Sequence, residues 1–290
     1  MYQTLISVDA LQRHYSPQGW VVFDCRFDLA DVKKGHRLYR EGHIPAAQFM
    51  DLEQDLSSAV TALSGRHPLP DFEVLKEKLG KAGVTSASQV VVYDDCGGAM
   101  AARLWWLMRY LGHTSIAVLD GGYPAWVQHE GETSANVFSP AQTVYQGNLS
   151  TTDAGMPLVS SAELQQQLPD VQLVDARATP RFNGEVEPID PVAGHIPGAL
   201  NRPFQDNLTT TGVFKPADEL ANEWSALVNA HEPVIHMCGS GVTACHNILA
   251  MTHAGLNVLG LQNKALNNSV LYAGSWSEWI RDNTRPVECL

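Results

Sequence analysis

The stretch LVDARATPRFNGEVEPIDPVAGHIPGA, residues 173–199, decides the fold, because the chain carries its two ends twice. Its opening, an apolar run closing on Asp175, Ala176 and Arg177, has a counterpart in VVFDCR at 21–26. Its close, GHIPGA at 194–199, returns as GHIPAA at 42–47. Further out, VIHMCG at 234–239 answers VVVYDD at 90–95, and AGSWSEW at 273–279 answers DGGYPAW at 120–126. These matches keep one order and a separation of roughly 150 residues, which is the size of a domain and far longer than a solenoid period. The chain reads as a duplicated domain.

The halves are expected at 1–130 and 158–290, joined by a linker at 131–157 that is polar and rich in Ser, Thr and Gly. Within each half, short Val- and Ile-rich runs (QVVVYD, IAVLD, VQLVDA, PVIHMC) read as buried strands. Between them lie stretches with helical spacing: DFEVLKEKLGKAG, AMAARLWWLMRYLGH, SAELQQQL and GVTACHNILAMTHAG. Ser160 or Ser161 is the expected N-cap of SAELQQQL, and Gly112 and Gly255 suit helix C-termini. Strand–helix alternation predicts an α/β fold: in each half, a mostly parallel sheet flanked by helices on both faces. In such sheets a ligand binds beyond the C-terminal ends of the strands.

Composition narrows the function. The 290 residues are 44% hydrophobic and 17% charged, with a formal charge of −12. That charge disfavours a nucleic-acid partner, since a phosphate backbone would be repelled. No run approaches the ~18 apolar residues that span a membrane. The N-terminal MYQTLISVDALQRHY lacks the basic head and apolar run of a secretory signal, so a cytoplasmic location is expected. The five cysteines are odd in number and irregularly spaced, which speaks against a disulfide framework and against a metal-binding pair.

One of them is placed for chemistry. Cys238 ends the strand PVIHM, and Gly-Ser-Gly-Val-Thr-Ala at 239–244 leads from it into a helix. Gly239 and Gly241 let the backbone curl tightly. Amides at the helix start then face the loop and stabilise a thiolate there. The plain alternative, a small buried hydrophobe, suits Cys245 inside the following helix better, and suits Cys25, Cys96 and Cys289 as well. In the first half Asp94 stands where the second has Cys238. A carboxylate cannot carry sulfane sulfur, so the first half is expected to be inactive.

The paired GHIPxA motifs, the strand–Cys–Gly-rich loop and the closing GSWSEW together resemble the tandem-domain rhodaneses, over residues 5–287. The loop Cys238–Thr243 is similar to that of 3-mercaptopyruvate sulfurtransferases, whereas thiosulfate-using relatives more often have basic residues where Gly239 and Ser240 stand. The resemblance implies two tandem rhodanese-like domains. It also implies ping-pong transfer, in which a small anionic donor leaves sulfur on Cys238 as a persulfide and an acceptor removes it. The acceptor would be cyanide, a small thiol or a thioredoxin-like protein, with no metal or organic cofactor. It further implies that Arg181 binds the donor's anionic group and that the loop residues Gly239, Gly241, Val242 and Thr243 line the donor site. Ser240, working with His67 and Glu53 from the first domain, would handle the proton. Asp24 with Arg26, and Asp175 with Arg177, occur in both halves and read as structural ion pairs, and His43 and His195 as turn architecture. The chain departs from the family pattern at Ile189, near the place of a second arginine, and in a long segment from Leu256 to Val270.

Rival readings fit less well. A related cysteine phosphatase would need its cradle arginine where Ala244 stands. A non-enzymatic binding module would not need the Cys238 loop. A metal site from His236, Cys238, Cys245 and His246 would require the last two, on the following helix, to turn back toward the strand. Thiosulfate as donor is the nearest alternative, but a doubly charged donor favours a cationic loop, and this one is neutral.

Overall fold

The computed structural model describes residues 1–15, 19–137, 156–229, 231–256 and 268–290. The chain forms two compact units: residues 1–58, 70–154 and 210–214 in the first, and 59–69, 155–209 and 215–290 in the second. Two short segments thus belong with the opposite half of the sequence. Most of the expected linker at 131–157, and most of 256–270, lies outside the described residues.

In the first unit a parallel sheet runs in the order β1-β5-β4-β2-β3, from Leu5–Ile6 (β1), Trp20–Asp24 (β2), Gln48–Phe49 (β3), Gln89–Tyr93 (β4) and Ile116–Leu119 (β5). Helices Val8–His14 (α1), Lys34–Glu41 (α2), Phe72–Lys81 (α3), Ala101–Tyr110 (α4) and Gly122–Gln128 (α5) connect and cover it. The central strand β4 is buried at every residue, as its unbroken apolar run requires in a sheet covered on both faces. α4 is buried from Ala101 to Arg109, so this helix is apolar nearly all round. α3 starts where Asp71 accepts from the Glu73 and Val74 amides.

The second unit repeats the plan. Gln172–Asp175 (β6), Leu200–Asn201 (β7), Val234–Met237 (β8) and Ser269–Leu271 (β9) form a parallel sheet in the order β7-β6-β8-β9. The place that β1 takes beside β5 shrinks to a single bridge between Leu158 and Leu271. The helices are Ser161–Gln167 (α6), Thr179–Asn183 (α7), Ala217–Leu227 (α8), Thr243–His253 (α9) and Ser275–Trp279 (α10). Ser160 caps α6 in a reciprocal box with Glu163. Both Gly112 and Gly255 take the left-handed conformation, with φ of 81° and 75°.

The repeated motifs make the same bonds in both units. Arg26 grips Asp24 and reaches the Gly42 carbonyl at 2.7 Å; Arg177 grips Asp175 and reaches the Gly194 carbonyl at 2.7 Å. All four charged side chains are buried. Removing one partner from such a pair costs about 3–5 kcal/mol, because a naked charge stays behind. The arginines lie over Tyr123 and Trp276 respectively, which align in the repeat. His43 and His195 each bond a backbone carbonyl through Nδ1, of Tyr39 and Phe182, and stack on that residue's ring. Ile44 and Ile196, next in each GHIP motif, enter the core of their own unit.

No helix among the described residues is long and apolar enough to cross a membrane.

Candidate active site

Cys238 follows β8 directly, at the C-terminal edge of the second sheet. Its Sγ accepts from the Gly241 amide at 3.2 Å. Gly241 has φ +78°, and a Cβ there would run into the Ala273 carbonyl, so conformation and space both demand glycine. Val242 is the N-cap residue and Thr243 the first residue of α9, whose first-turn amides have no acceptors within the helix.

Three groups from 275–277 brace the loop from beneath. Ser275 Oγ accepts from the Cys238 amide at 3.1 Å and donates to the Tyr272 carbonyl at 2.9 Å. The Trp276 and Ser277 amides donate to the carbonyls of Cys238 and Gly239. Ser275 is fully buried, and its φ of +55° is a backbone state that a non-glycine residue holds only under constraint.

The loop sequence led us to expect several helix-start amides facing the sulfur. In the structure one amide, that of Gly241, reaches Sγ, and Cys238 is 2% exposed. The 59–69 segment packs beside the loop within the second unit. Gly65 lies so close to the Gly274 carbonyl that a Cβ would not fit. The Arg66 amide donates to Ser277 Oγ at 3.0 Å. His67, 3% exposed, places Nδ1 at 2.7 Å from Ser240 Oγ. His67 and Ser240 therefore meet inside one unit. Glu53, the third expected member of that group, lies in the other unit as an exposed residue whose amide donates to Asp51.

Arg181, on the short helix α7, is paired twice: to Glu187 through Nε and Nη2, and to Asp190 at 3.1 Å. Asp190 also forms an ion pair with Arg66. Burial would raise the Glu187 carboxyl, but hydrogen bonds from Arg181 prevail and hold it below its ordinary value. At Asp190 burial wins, and the carboxyl is raised despite the neighbouring guanidiniums of Arg66 and Arg181. Gly239 faces this cluster: a Cβ built on it would stand 2.9 Å from Arg66 Nη2 and 3.6 Å from Arg181 Nη1. The loop itself is neutral, as its sequence says, but its surroundings carry two guanidiniums. Arg66 was missed because it is remote in sequence; its one signal is that it directly precedes His67.

The other thiols are differently placed. Cys245 is buried in α9 and donates to the Gly241 carbonyl. Burial, then the Asp24 carboxylate, pushes the Cys25 thiol well up. Burial of the sulfur, then Asp94 and Asp95, does the same for Cys96. His236 Nε2 faces Ser269, and His246 Nδ1 faces Asn207.

The first unit holds a filled version of the same loop. Asp94 follows β4 as Cys238 follows β8. Its Oδ1 accepts from the Cys96 and Gly98 amides at 3.0 and 2.8 Å, and its Oδ2 from Met100 and Ala101 at 2.8 and 2.9 Å. A strand–loop–helix turn of this fold thus gathers amides around one anion, here a carboxylate built into the chain.

Comparison with known proteins agrees with this architecture. The family model described as a rhodanese-like domain matches residues 7–129 and again 160–282. The chain is 46% identical over 289 residues to a probable 3-mercaptopyruvate sulfurtransferase of Pseudomonas aeruginosa, covering 98% of this chain and 97% of that one. It is 39% identical over 275 residues to a putative thiosulfate sulfurtransferase of Mycobacterium tuberculosis, covering 92% and 89%. The crystal structure of the 3-mercaptopyruvate sulfotransferase SseA from Escherichia coli superposes with a TM-score of 0.77 at 28% identity, covering 96% of this chain and all of that one. With both halves matched and near-full-length relatives on each count, this chain belongs to the rhodanese family as a tandem-domain sulfurtransferase.

Proposed function

We propose that the enzyme takes sulfur from 3-mercaptopyruvate onto Cys238 and passes it to a thiophilic acceptor. The observation that carries this reading is the sulfur of Cys238 at a strand end, under the Gly241 amide and two residues from the Ser240 that pairs with His67. The Cys238 thiolate attacks the donor sulfur. The carbon–sulfur bond breaks with its electron pair on carbon, leaving pyruvate as its enolate and a persulfide on Cys238. The enolate carbon takes a proton, and the donor thiol must lose one. Ser240 and His67, in hydrogen-bond contact, form the relay that moves it. Arg181 holds the donor carboxylate. Cyanide, a small thiol or a thioredoxin-like protein then attacks the outer sulfur and releases the Cys238 thiolate. A cytoplasmic setting belongs to the same reading, and the five free thiols support it.

Thiosulfate is the second reading. The guanidiniums of Arg66 and Arg181 beside Gly239 supply anion donors that the loop alone lacks, with Glu187 and Asp190 balancing their charge. Cyanide-dependent turnover with the two donors side by side separates the readings. Cys238→Ser is expected to lose transfer by three orders of magnitude or more, roughly as for other removed nucleophiles. Cys96→Ser and Cys245→Ser should keep most of it. Appreciable turnover in Cys238→Ser refutes the nucleophile.

A further inference from the structure

We propose that an apolar knob centred on Leu63 is the docking surface for a protein acceptor, one that presents its thiol from an apolar face. This rests on the persulfide reading above and names the kind of acceptor the enzyme serves. Leu63 is 82% exposed, and Val60 beside it is exposed as well. The turn that carries them is bonded to itself: the Thr61 amide donates to Ser64 Oγ at 2.8 Å, and the Ser64 amide to Thr61 Oγ1 at 3.1 Å. It is also anchored. Ser64 Oγ donates to the Gly65 carbonyl, Gly65 packs on the Gly274 carbonyl, and the Arg66 amide bonds Ser277 Oγ. The ion pair between Arg66 and Asp190 ties this segment to 185–192, where Val186, Ile189 and Val192 are exposed in turn. Both segments belong to the second unit. A single exposed leucine is ordinary, but apolar side chains on both sides of one ion pair, the foremost on a braced turn, mark a surface made for contact.

Position selects the partner. Leu63 stands three residues from Arg66, a span of roughly 11 Å at most, and Arg66 Nη2 lies 2.9 Å from a Cβ built on Gly239, the neighbour of Cys238. A protein interface of about 800 Å² on each side, roughly 30 Å across, that covers Leu63 and Ile189 therefore covers the Cys238 loop too. A permanent occupant, a second copy of this chain included, would shut out the sulfur donor. The partner that fits is one that reacts with the persulfide and then leaves. Cyanide and small thiols do not extend as far as Leu63, so the knob serves a macromolecule. Between the apolar residues the charges cancel, Arg66 and Arg181 against Glu187 and Asp190, so apolar contact supplies the affinity. Once docked, the partner's thiolate attacks the outer sulfur of the Cys238 persulfide. A new sulfur–sulfur bond forms on the partner, the old one breaks with its electron pair on Cys238 Sγ, and the enzyme thiolate is regenerated.

The test loads Cys238 of the full chain with sulfur from either donor and follows transfer to cyanide, dithiothreitol and reduced thioredoxin, for wild type, Leu63→Ala and Leu63→Asp. Dithiothreitol offers the dithiol chemistry without the protein surface. With thioredoxin, Leu63→Ala should lower kcat/KM about tenfold and Leu63→Asp about 100-fold or more, mainly through KM. With cyanide and dithiothreitol both variants should stay within about twofold of wild type, which also shows that they fold. An unchanged kcat/KM for thioredoxin in Leu63→Asp, or an equal loss with all three acceptors in both variants, overturns the docking surface. So does a wild type that transfers to cyanide but shows no saturable transfer to thioredoxin. Sedimentation at matched concentrations addresses a second copy as occupant: a wild-type dimer that Leu63→Asp splits into monomers overturns the proposal, and an unchanged state supports it. The cyanide arm separates the knob from the reading beneath it. No transfer to cyanide by wild type defeats sulfur transfer itself, and the docking surface with it, whereas a failure confined to thioredoxin leaves sulfur transfer standing.

Discussion

Replacing Asp94 measures how strongly a loop of this fold holds an anion. The carboxylate is fully buried and accepts four backbone amides, two on each oxygen. Alanine removes both oxygens and leaves four donors facing a small void. At about 1–3 kcal/mol for each buried donor left unmatched, and allowing for water to enter, the expected loss is about 4 kcal/mol or more. Asparagine is the sharper variant. It matches the shape and keeps one oxygen, so two bonds survive. Its amide group, however, turns donors toward two amides that are themselves donors. Two charge-assisted bonds at ~1.5–3 kcal/mol each are lost, so Asp94→Asn should cost about 3–6 kcal/mol despite being isosteric. Urea unfolding gives the total, and hydrogen exchange read by mass spectrometry on peptides covering 89–110 shows whether the loss is local. If Asp94→Asn stays within about 1 kcal/mol of wild type, the loop is no anion cradle. The same reasoning applied to a persulfide at Cys238 would then lose its support.

Two other expectations follow from buried groups in the second unit. His236 is fully buried on β8, edge-on to Trp224, and burial pushes its pKa down to about 3. The folded chain keeps it neutral while the unfolded chain protonates it below its ordinary value near 6.5. The associated stability is therefore present above pH 6.5 and drains as pH falls toward 3, by about 2 kcal/mol between pH 6.5 and 5. Urea midpoints at pH 7 and 5 should show this slope, and His236→Gln should remove it; an equal slope in the variant defeats the assignment. Ser275→Ala should cost about 1–3 kcal/mol by orphaning the Cys238 amide, and should lower kcat about tenfold or more through displacement of the loop. Ser275→Gly eases the positive φ and should regain stability without regaining kcat; wild-type turnover in either variant removes Ser275 from the positioning of the nucleophile.

The sheet, the helices α3, α4, α6 and α9, and the loop with its cysteine were legible because each has a local signal: an apolar run, helical spacing, a cap, a glycine after a strand. The ion pairs Asp24–Arg26 and Asp175–Arg177 were legible from the repeat itself. What stayed hidden is contact between residues far apart in sequence. GRHPL at 65–69 carries no local signal of where it packs, yet it belongs to the second unit and supplies both the partner of Ser240 and a guanidinium at Gly239. Ser275 carried a faint sign: its counterpart Gly122 is a glycine with φ +59°. A serine where the repeat has a left-handed glycine marks a side chain retained at a conformational cost, and hence one with a task.

The two loops reach stability by different means, and under the proposed function that difference suits the second to transfer. In the first unit the chain fills the cradle with its own carboxylate, and one amide, from Tyr123, suffices to hold the Asp94 carbonyl. Gly122 there has no side chain, and Pro124, aligned with Ser277, has no amide to give. In the second unit the cradle must remain available for a visiting sulfur, so no built-in anion can rigidify it. The Tyr123 bond is matched by the Trp276 amide on the Cys238 carbonyl, and two more are added: Ser275 Oγ on the Cys238 amide and the Ser277 amide on the Gly239 carbonyl. The substitutions Gly122/Ser275 and Pro124/Ser277 across the repeat therefore compensate for the substitution Asp94/Cys238. A cysteine placed at position 94 alone would stand in a loop that had lost its anion and gained no braces, so we expect transfer at that position to need changes at 122 and 124 as well.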